Sequence, residues 1–322
     1  MNNIFDLSIC KHNREAYGKT LIELGNENEN IVVLDADLSG STKTIMFAER
    51  FPRRFINVGI AEQNLMGIAA GLARCGKIPF VSTYAMFGCG RAWEQIRNAI
   101  ALDNLNVNIV MTHGGLSLGA DGATHQMFED IALMRVIPNM RVIIPADVNE
   151  TRAVLKFVAK EDGPSYIRLS RRSSPVIFDE TYIFNPNDYP VLVDGSDVTI
   201  FSTGGMICNT LKACEQLIKA GISTKLVNVH NIKPLANESI LKAAKETGIV
   251  VTVEDHNIKG GLGSAIAELL IEKYPVRMKM IGINDEFGGS GKVDELNARY
   301  GLSVEQIVKS VKEFLKSREL TG

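Results

Sequence analysis

Features that define many protein classes are scarce in this sequence, cysteine above all. Its 322 residues contain five scattered cysteines and no Cys-x-x-Cys pair. The cysteines are Cys10, Cys75, Cys89, Cys208 and Cys214. This usage excludes a disulfide-stabilised fold and predicts free thiols in a reducing cytoplasm. Cys89 is expected to be a small buried residue.

Excess charge and long apolar runs are also missing. The net charge of -2 at pH 7 argues against nucleic acid as a main partner. No apolar run approaches the roughly 20 residues that cross a bilayer, so no membrane span is expected. The first residues, Met-Asn-Asn-Ile-Phe-Asp, do not begin with a basic stretch and an apolar core, so no secretory signal is expected either. Together these absences predict a cytoplasmic protein.

The length and the alternation of apolar patterns predict two domains. A chain of 322 residues is too long for one ordinary core. In the first part, candidate strands lie at residues 31–34, 78–82, 107–112, 142–144 and 165–169, and candidate helices at 15–24, 61–73, 92–102 and 150–159. This alternation is typical of parallel sheets covered by helices on both faces.

A stretch rich in proline, aspartate and asparagine separates this series from a second one. In the second series, candidate strands lie at 198–202, 224–229, 249–253 and 278–281, and candidate helices at 207–220, 237–245, 263–272 and 303–315. The fold prediction is therefore α/β, with two domains that each contain a mainly parallel sheet flanked by helices. We place the first domain at 1–175, a linker at 176–194 and the second domain at 195–322.

The most informative segment is 55–64, Phe-Ile-Asn-Val-Gly-Ile-Ala-Glu-Gln-Asn. It is typical of a short strand, a glycine turn and a helix that opens at Glu62. Open α/β sheets bind ligands at such a strand-to-helix crevice. A lone carboxylate there is costly to desolvate without a partner, so the partner of Glu62 should indicate the function.

Two glycine-rich segments partly match the sequence patterns of phosphate- and dinucleotide-binding loops. Residues 71–78 match most of a phosphate-loop pattern, but Ile78 stands where a hydroxyl should meet magnesium, and a strand follows instead of a helix. Residues 260–263, Gly-Gly-Leu-Gly, follow a strand and open a helix. A tight turn that caps the helix is the favoured interpretation there, and an anion-binding nest is the alternative.

Residues 112–126 form a long glycine-rich loop after a strand, and such loops are often functional. The loop contains His113, Asp121 and His125. Metal binding by these three is disfavoured, because their spacing suits no common zinc pattern. Hydrogen bonding to a polyhydroxylated substrate is the favoured interpretation, and a histidine satisfied by backbone is the other alternative.

Aromatic and basic residues follow other strands of the first domain. Tyr84 and Phe87 are predicted to share a face on the first turn of a helix. They could pack in the core or stack on a planar heterocycle. Arginines near strand ends, of which Arg171 is one, are usually surface residues, but several together suggest a phosphate or carboxylate site.

Three motifs together resemble the C-terminal half of the thiamine-diphosphate-dependent transketolase family. They are Gly-Ile-Ala-Glu-Gln-Asn at 59–64, Ser-Thr-Tyr-x-x-Phe at 82–87 and Gly-x-Asp-Gly-x-Thr-His-Gln at 119–126. The resemblance covers nearly the whole chain and implies a pyrimidine-binding domain at 1–175 followed by a transketolase C-terminal domain at 195–322.

The resemblance implies a role for each cofactor-site residue. Glu62 would be catalytic, by hydrogen bonding the aminopyrimidine ring of thiamine diphosphate. Tyr84 and Phe87 would form the aromatic wall of the pyrimidine pocket. Asp37 is similar to the family's acidic residue near the cofactor.

On the substrate side, the resemblance implies that His113 and His125 line the sugar channel. His125 would contact the hydroxyls at the reacting carbons and would be the second catalytic residue. Asp121 would bind a substrate hydroxyl. The residues implied to hold the sugar phosphate are Arg14, Ser41 and Arg171.

This chain departs from the family's pattern in two ways. Gly90 stands near the position where full-length members have another aromatic residue. The Gly-Asp-Gly magnesium motif with its downstream asparagine is missing, so we expect no metal site in this chain. A partner subunit of the N-terminal type would hold the diphosphate with Mg²⁺ or Ca²⁺, and the functional unit would be a heterotetramer.

The resulting prediction is a subunit of a split transketolase that transfers a two-carbon ketol unit from a ketose phosphate to an aldose. Two related enzymes remain as alternatives, the β subunit of a 2-oxoacid dehydrogenase and a 1-deoxyxylulose-5-phosphate synthase. A non-enzymatic scaffold is the third alternative, which the intact motifs disfavour. The sequence does not identify the sugar.

Overall fold

The computed structural model describes residues 5–317. Within them the strands, in chain order, are β1 (Cys10–Lys11), β2 (Ile31–Asp35), β3 (Phe55–Asn57), β4 (Ile78–Tyr84), β5 (Asn108–Thr112), β6 (Arg141–Ile143), β7 (Ser165–Leu169), β8 (Ser174–Pro175), β9 (Val191–Val193), β10 (Val198–Ser202), β11 (Thr224–Asn228), β12 (Asn231–Lys233), β13 (Ile249–Asn257) and β14 (Arg277–Ile283). The predicted α/β fold with two mainly parallel sheets is confirmed.

The same residues contain α-helices between and after these strands. They are α1 (Asn13–Glu27), α2 (Ser39–Thr42), α3 (Ile45–Arg50), α4 (Glu62–Arg74), α5 (Trp93–Gln95), α6 (Asp130–Arg135), α7 (Val148–Val158), α8 (Met206–Lys219), α9 (Asn237–Thr247), α10 (Leu262–Lys273), α11 (Val293–Arg299) and α12 (Val304–Lys316). Two π-helical turns, Met86–Arg91 and Ile96–Ala101, flank α5. Short 3₁₀ turns lie at Pro52–Arg54 and Gly115–Asp121.

The first sheet has the strand order β12-β6-β7-β5-β4-β2-β3 and is parallel except for β12. Its central strands are buried along their whole length, as β2 and β5 illustrate. Parallel strands covered on both faces read as continuous apolar runs, which is why the sequence revealed them. Leu21 of α1 and Val154 of α7 lie in the core on one face, and Leu65 of α4 and Ile96 lie in the core on the other.

The second sheet has the order β14-β13-β10-β11-β9 and is parallel except for β9. Helices α8 and α12 cover one face through Leu211 and Ile307. Helices α9 and α10 cover the other through Ile240 and Ile266. The carboxyl ends of β10 and β13 point toward the first domain, where β13 meets the Gly115–Asp121 turn.

The two halves of the chain are interlocked. Strand β12, which the sequence places in the second half, pairs antiparallel with β6 of the first sheet. Strand β9 falls inside the predicted linker and belongs to the second sheet. The division into domains at 1–175 and 195–322, with a linker at 176–194, remains a prediction. Residues 1–4 and 318–322 lie outside the described part.

Two local predictions are wrong. Tyr84 and Phe87 do not share the first turn of a helix, because Tyr84 ends β4 and Phe87 lies in the π-helical turn Met86–Arg91. The helix predicted at 92–102 is not one α-helix, since α5 passes into the π-helical turn Ile96–Ala101. Side-chain periodicity alone does not distinguish these windings.

The two glycine-rich segments act as turns. Helix α4 ends at Arg74, and Gly76 then takes a positive φ of 78° before β4. At the second segment, the Glu254 carboxylate accepts hydrogen bonds from the amides of Leu262 and Gly263, at 2.7 and 2.8 Å. The protein's own carboxylate thus occupies the place that an anion would take.

In residues 5–317 no helix is long and apolar enough to cross a membrane. The five cysteines are free, and Cys89 is buried as expected.

Candidate active site

The candidate site lies at the carboxyl edge of the first sheet. Strands β2, β4, β5 and β7 are parallel neighbours, so the residues that follow them meet at one edge. Asp37 follows β2, Tyr84 ends β4, His113 follows β5 and Arg171 follows β7. The sequence prediction that these residues lie at strand ends agrees with the geometry.

Glu62 is the first residue of α4 and is placed there by a glycine turn. Gly59 takes a positive φ of 75° between β3 and the helix, a conformation that suits glycine. The Glu62 side chain is only 3% exposed. Its Oε2 accepts a hydrogen bond from Nη1 of Arg91 at 3.3 Å, and no other residue in the described part bonds the carboxylate. Oε1 is therefore left for another donor.

Aromatic rings form a continuous wall, and Arg91 connects it to Glu62, since its guanidinium lies 5.8 Å from the Phe87 ring centroid. The rings of Tyr84 and Phe87 are 5.9 Å apart and nearly parallel, with an interplanar angle of 18°. Tyr84 also lies 3.9 Å from the His113 ring, and Phe87 meets the His125 ring edge-on at 5.2 Å. A side chain at Gly90 would meet only Met86, at ordinary contact distance, so the wall is open on that side.

His113 is held in an unusual conformation. Its φ is 65°, in the left-handed region that non-glycine residues rarely adopt, and strain of this kind often marks functional sites. Its Nδ1 hydrogen bonds with Oγ1 of Thr112 at 2.7 Å. Burial, with the charges of Arg14 and Arg171 nearby, lowers the His113 pKa to about 3. The ring is thus neutral at pH 7.

The arginines next to His113 form a connected group. Nη1 of Arg14 donates to the Ser41 carbonyl at 2.5 Å, and Nη2 donates to the Arg171 carbonyl at 3.3 Å. Arg171 in turn donates to the Leu118 carbonyl at 2.6 Å and lies 3.8 Å from the Asp121 carboxylate. Five of the six predicted substrate residues therefore occupy one neighbourhood, namely Arg14, Ser41, His113, Asp121 and Arg171.

Asp37 lies at the exposed rim, also with a left-handed φ of 63°. Its backbone N–H donates to Oδ1 of Asn57 at 3.2 Å, and its carboxylate accepts from Nδ2 of Asn57 at 2.9 Å. Below it, the buried Asp35 carboxylate accepts from the amide of Leu38 and the hydroxyl of Thr42, at 2.6 and 2.7 Å. Asp35 thus fixes the segment that carries Asp37 and Ser41.

Sequence reasoning missed a buried clamp behind the two histidines. Nε of Arg168 donates to Asp130 at 2.7 Å, and its Nη2 donates to the carbonyls of Met127 and Asp255 at 3.2 and 2.9 Å. The Asp255 carboxylate accepts the amide of Leu116 at 2.9 Å. The clamp ties together the backbone that follows His113 and His125. An arginine inside the otherwise apolar run of β7 was the visible signal.

Arg91 was also missed, because an arginine after a glycine gives no signal of a buried partner. Its guanidinium lies 5.8 Å from the Phe87 ring centroid and also contacts Glu62.

The metal alternative for the His113, Asp121 and His125 loop has no geometric support, since residues 5–317 contain no group of three or more His, Cys, Asp or Glu that could hold a metal ion.

Comparison with known proteins gives the family. The family model described as transketolase, pyrimidine binding domain, matches residues 11–176, and that described as transketolase, C-terminal domain, matches residues 188–307. A protein from Methanocaldococcus jannaschii whose name describes it as the C-terminal section of a transketolase is 51% identical over 96% of this chain and 98% of its own length.

Two more relatives are similar over nearly their whole lengths. A 6-deoxy-6-sulfo-D-fructose transketolase subunit from Clostridium sp. is 40% identical, over 97% of this chain and 98% of the relative. A solved structure described as a split gene transketolase, inactive beta4 tetramer, superimposes with a TM-score of 0.89 at 50% identity, over 95% of this chain and 98% of the other. The chain belongs to the transketolase family, as a subunit that contains the pyrimidine-binding and C-terminal domains.

Proposed function

We propose that this chain is one subunit of a split transketolase, which transfers a two-carbon ketol unit from a ketose phosphate to an aldose. One observation carries the proposal. A nearly buried carboxylate with an unused oxygen, Glu62, stands beside an aromatic wall that leads to His125 and His113. Such an arrangement suits a planar cofactor ring at one end and a sugar at the other.

The residues fit the pyrimidine end of thiamine diphosphate. Glu62 would offer Oε1, which has no partner in the described chain, to a ring nitrogen. Tyr84 and Phe87, whose rings stack on each other, would form the aromatic wall of the ring's pocket, and Asp37 would lie at the rim near the cofactor. Thiamine diphosphate supplies the electron sink for carbon–carbon bond cleavage.

The substrate residues are arranged to bind a sugar with an anionic end. His125 would contact the hydroxyls at the reacting carbons, and neutral His113 would hydrogen bond without adding charge. Asp121 would bind a further hydroxyl. Arg14, Ser41 and Arg171 would hold the phosphate, with Arg14 bonded to the carbonyls of the other two, so that binding energy far from the reacting carbons orients them.

A partner subunit completes the proposal. We propose that an N-terminal-type subunit binds the diphosphate with Mg²⁺ or Ca²⁺, which agrees with residues 5–317 containing no group of three or more His, Cys, Asp or Glu that could hold a metal ion. The relative that is an inactive β4 tetramer supports this need for a second subunit. We propose a heterotetramer of two subunits of each kind, in the cytoplasm.

The test is to mix the purified chain with its candidate partner, thiamine diphosphate and Mg²⁺, and to measure turnover with several donors. We expect ketol transfer from a ketose phosphate to an aldose, and none by either chain alone. A donor that carries a 6-sulfonate in place of the phosphate probes the chemistry named for the Clostridium relative. Turnover only with a 2-oxoacid, or condensation of pyruvate with glyceraldehyde 3-phosphate, would replace the proposal by one of the two related enzymes.

A further inference from the structure

The structure gives Glu62 a partner that belongs to this chain. Nη1 of Arg91 approaches Oε2 at 3.3 Å, while Oε1 has no partner among the described residues. The Glu62 side chain is 3% exposed and that of Arg91 is 57% exposed. Arg91 thus reaches inward from the surface to a nearly buried carboxylate.

The position of Arg91 is supported on two further sides. Its carbonyl accepts a hydrogen bond from Nε2 of Gln63 at 3.2 Å, which ties the π-helical turn to the first turn of α4. Its guanidinium lies 5.8 Å from the centroid of the Phe87 ring, within the range of a cation–π contact. Gly90, just before it, leaves the neighbouring wall open.

We propose that Arg91 is a positioning residue for Glu62. It binds Oε2 and balances the buried charge, and it thereby turns Oε1 toward the ring wall. This inference rests on the proposed function, in which Oε1 meets the pyrimidine ring. Removing Arg91 would leave a nearly buried carboxylate without a counter-charge and free to rotate.

A second ion pair between an arginine and a carboxylate also involves helix α4, on which Glu62 lies, and it provides a matched comparison. Arg74, at the end of α4, pairs with Asp103, but there both side chains are well exposed, at 61 and 41%. Exposed pairs of this kind contribute little. Arg74→Met therefore removes an arginine and an ion pair from α4 without touching the site.

The first experiment measures thiamine diphosphate binding to the assembled complex by calorimetry. We expect Arg91→Met to weaken binding about tenfold, equivalent to about 1.4 kcal/mol. Arg91→Lys keeps the charge and should recover most of the affinity, and Arg74→Met should match the wild type. Unchanged binding by Arg91→Met, or equal weakening by both methionine variants, would overturn the inference.

The second experiment does not depend on the cofactor. Unfolding midpoints in urea are compared for the isolated chain, Arg91→Met, Glu62→Gln and the double variant. If the pair is coupled, Arg91→Met shifts the midpoint clearly less in the Glu62→Gln background. Equal shifts in both backgrounds would overturn the inference. Because this cycle needs no ligand, a wild-type complex that fails to bind thiamine diphosphate would refute the proposed function alone.

Discussion

The carboxyl edges of the two sheets are built alike, but they use their polar groups differently. At the first edge, Glu62 retains an oxygen without a partner in the described chain, and Asp121 and Arg171 are exposed. At the second edge, the acidic residues of β13 are bonded within the protein. Glu254 binds the first amides of α10, and Asp255 binds the amide of Leu116.

The backbone does not separate the two edges. Asp37 follows β2 by two residues and His113 follows β5 directly, and both take left-handed conformations. At the second edge, Gly204 follows β10 with a φ of 54° that costs glycine little, but Asp285 follows β14 with a left-handed φ of 55°. The difference between the edges therefore lies in how their polar groups are bonded.

This difference shows that a carboxylate at a strand end is not by itself a ligand site. What distinguishes Glu62 from Glu254 is an unused oxygen beside an aromatic wall. The second domain instead serves as a support, since its Asp255 bonds the amide of Leu116 and, through its carbonyl, Arg168 of β7, and these contacts hold the backbone that carries His113 and His125. The following changes test this division of roles.

The largest effect is expected at the first edge. Glu62→Gln should lower the turnover of the assembled complex by about 10²-fold or more, the scale on which proton-transferring residues contribute. The amide keeps the shape of the carboxylate but not its charge, so the fold should remain intact. Turnover and circular dichroism of the complex check both expectations.

Glu49→Gln is the control for this change, because Glu49 is an exposed glutamate on α3. It should leave turnover at the wild-type value. Near-normal activity of Glu62→Gln would remove Glu62 from the catalytic role and with it the contrast between the two edges.

The matching change at the second edge is Glu254→Ala. It leaves the amides of Leu262 and Gly263 without their acceptor, which should lower the free energy of unfolding by about 1–3 kcal/mol. Turnover per folded complex should stay close to that of the wild type. Denaturant unfolding and active-site-normalised rates give the two readouts.

Glu272→Ala, on the exposed side of α10, should leave stability close to that of the wild type. A fall in turnover for Glu254→Ala as large as that for Glu62→Gln would show that the second edge takes part in catalysis.

A smaller effect is expected at the arginine group. Arg171→Ala should raise KM about tenfold for a phosphorylated ketose, because the phosphate would lose one charged partner, worth about 1.4 kcal/mol. KM for the unphosphorylated sugar should change little. Steady-state kinetics with both sugars check this, and an equal rise for the two would exclude Arg171 from the phosphate site.

The sequence predicted the fold best where strands are continuous apolar runs. The bounds of β7 and β10 were predicted as observed, since both runs end in turn-forming residues. Strand β12 was missed because Asn231 and Lys233 are polar, and their extended form depends on pairing with β6. Pairing partners distant in sequence override local preference.

For the site, the sequence located residues at strand ends but not their internal partners. Glu62 and the aromatic pair were predicted as site residues because motifs and strand ends mark them. The contact of Arg91 with Glu62 depends on the π-helical winding of residues 86–91, which no periodicity signals. The clamp of Arg168 and Asp255 joins residues 87 positions apart, and only the packing of the two domains brings them together.

The pH dependence of stability gives a finer test of the strained first edge. His113 has a pKa lowered to about 3 by burial and by the two arginines, against an ordinary value of 6.5 in the unfolded chain. Below pH 6.5 the unfolded chain therefore binds more protons, and stability falls as the pH falls toward 3. Between pH 7 and 5 His113 alone should cost about 2 kcal/mol. Urea unfolding measures the stability that is lost between pH 7 and 5. This loss should be smaller in His113→Asn than in the wild type by about 2 kcal/mol, whereas the control His12→Asn, at an exposed position, should lose as much as the wild type. Equal losses in His113→Asn and the wild type would mean that His113 is hydrated and that the first edge is open.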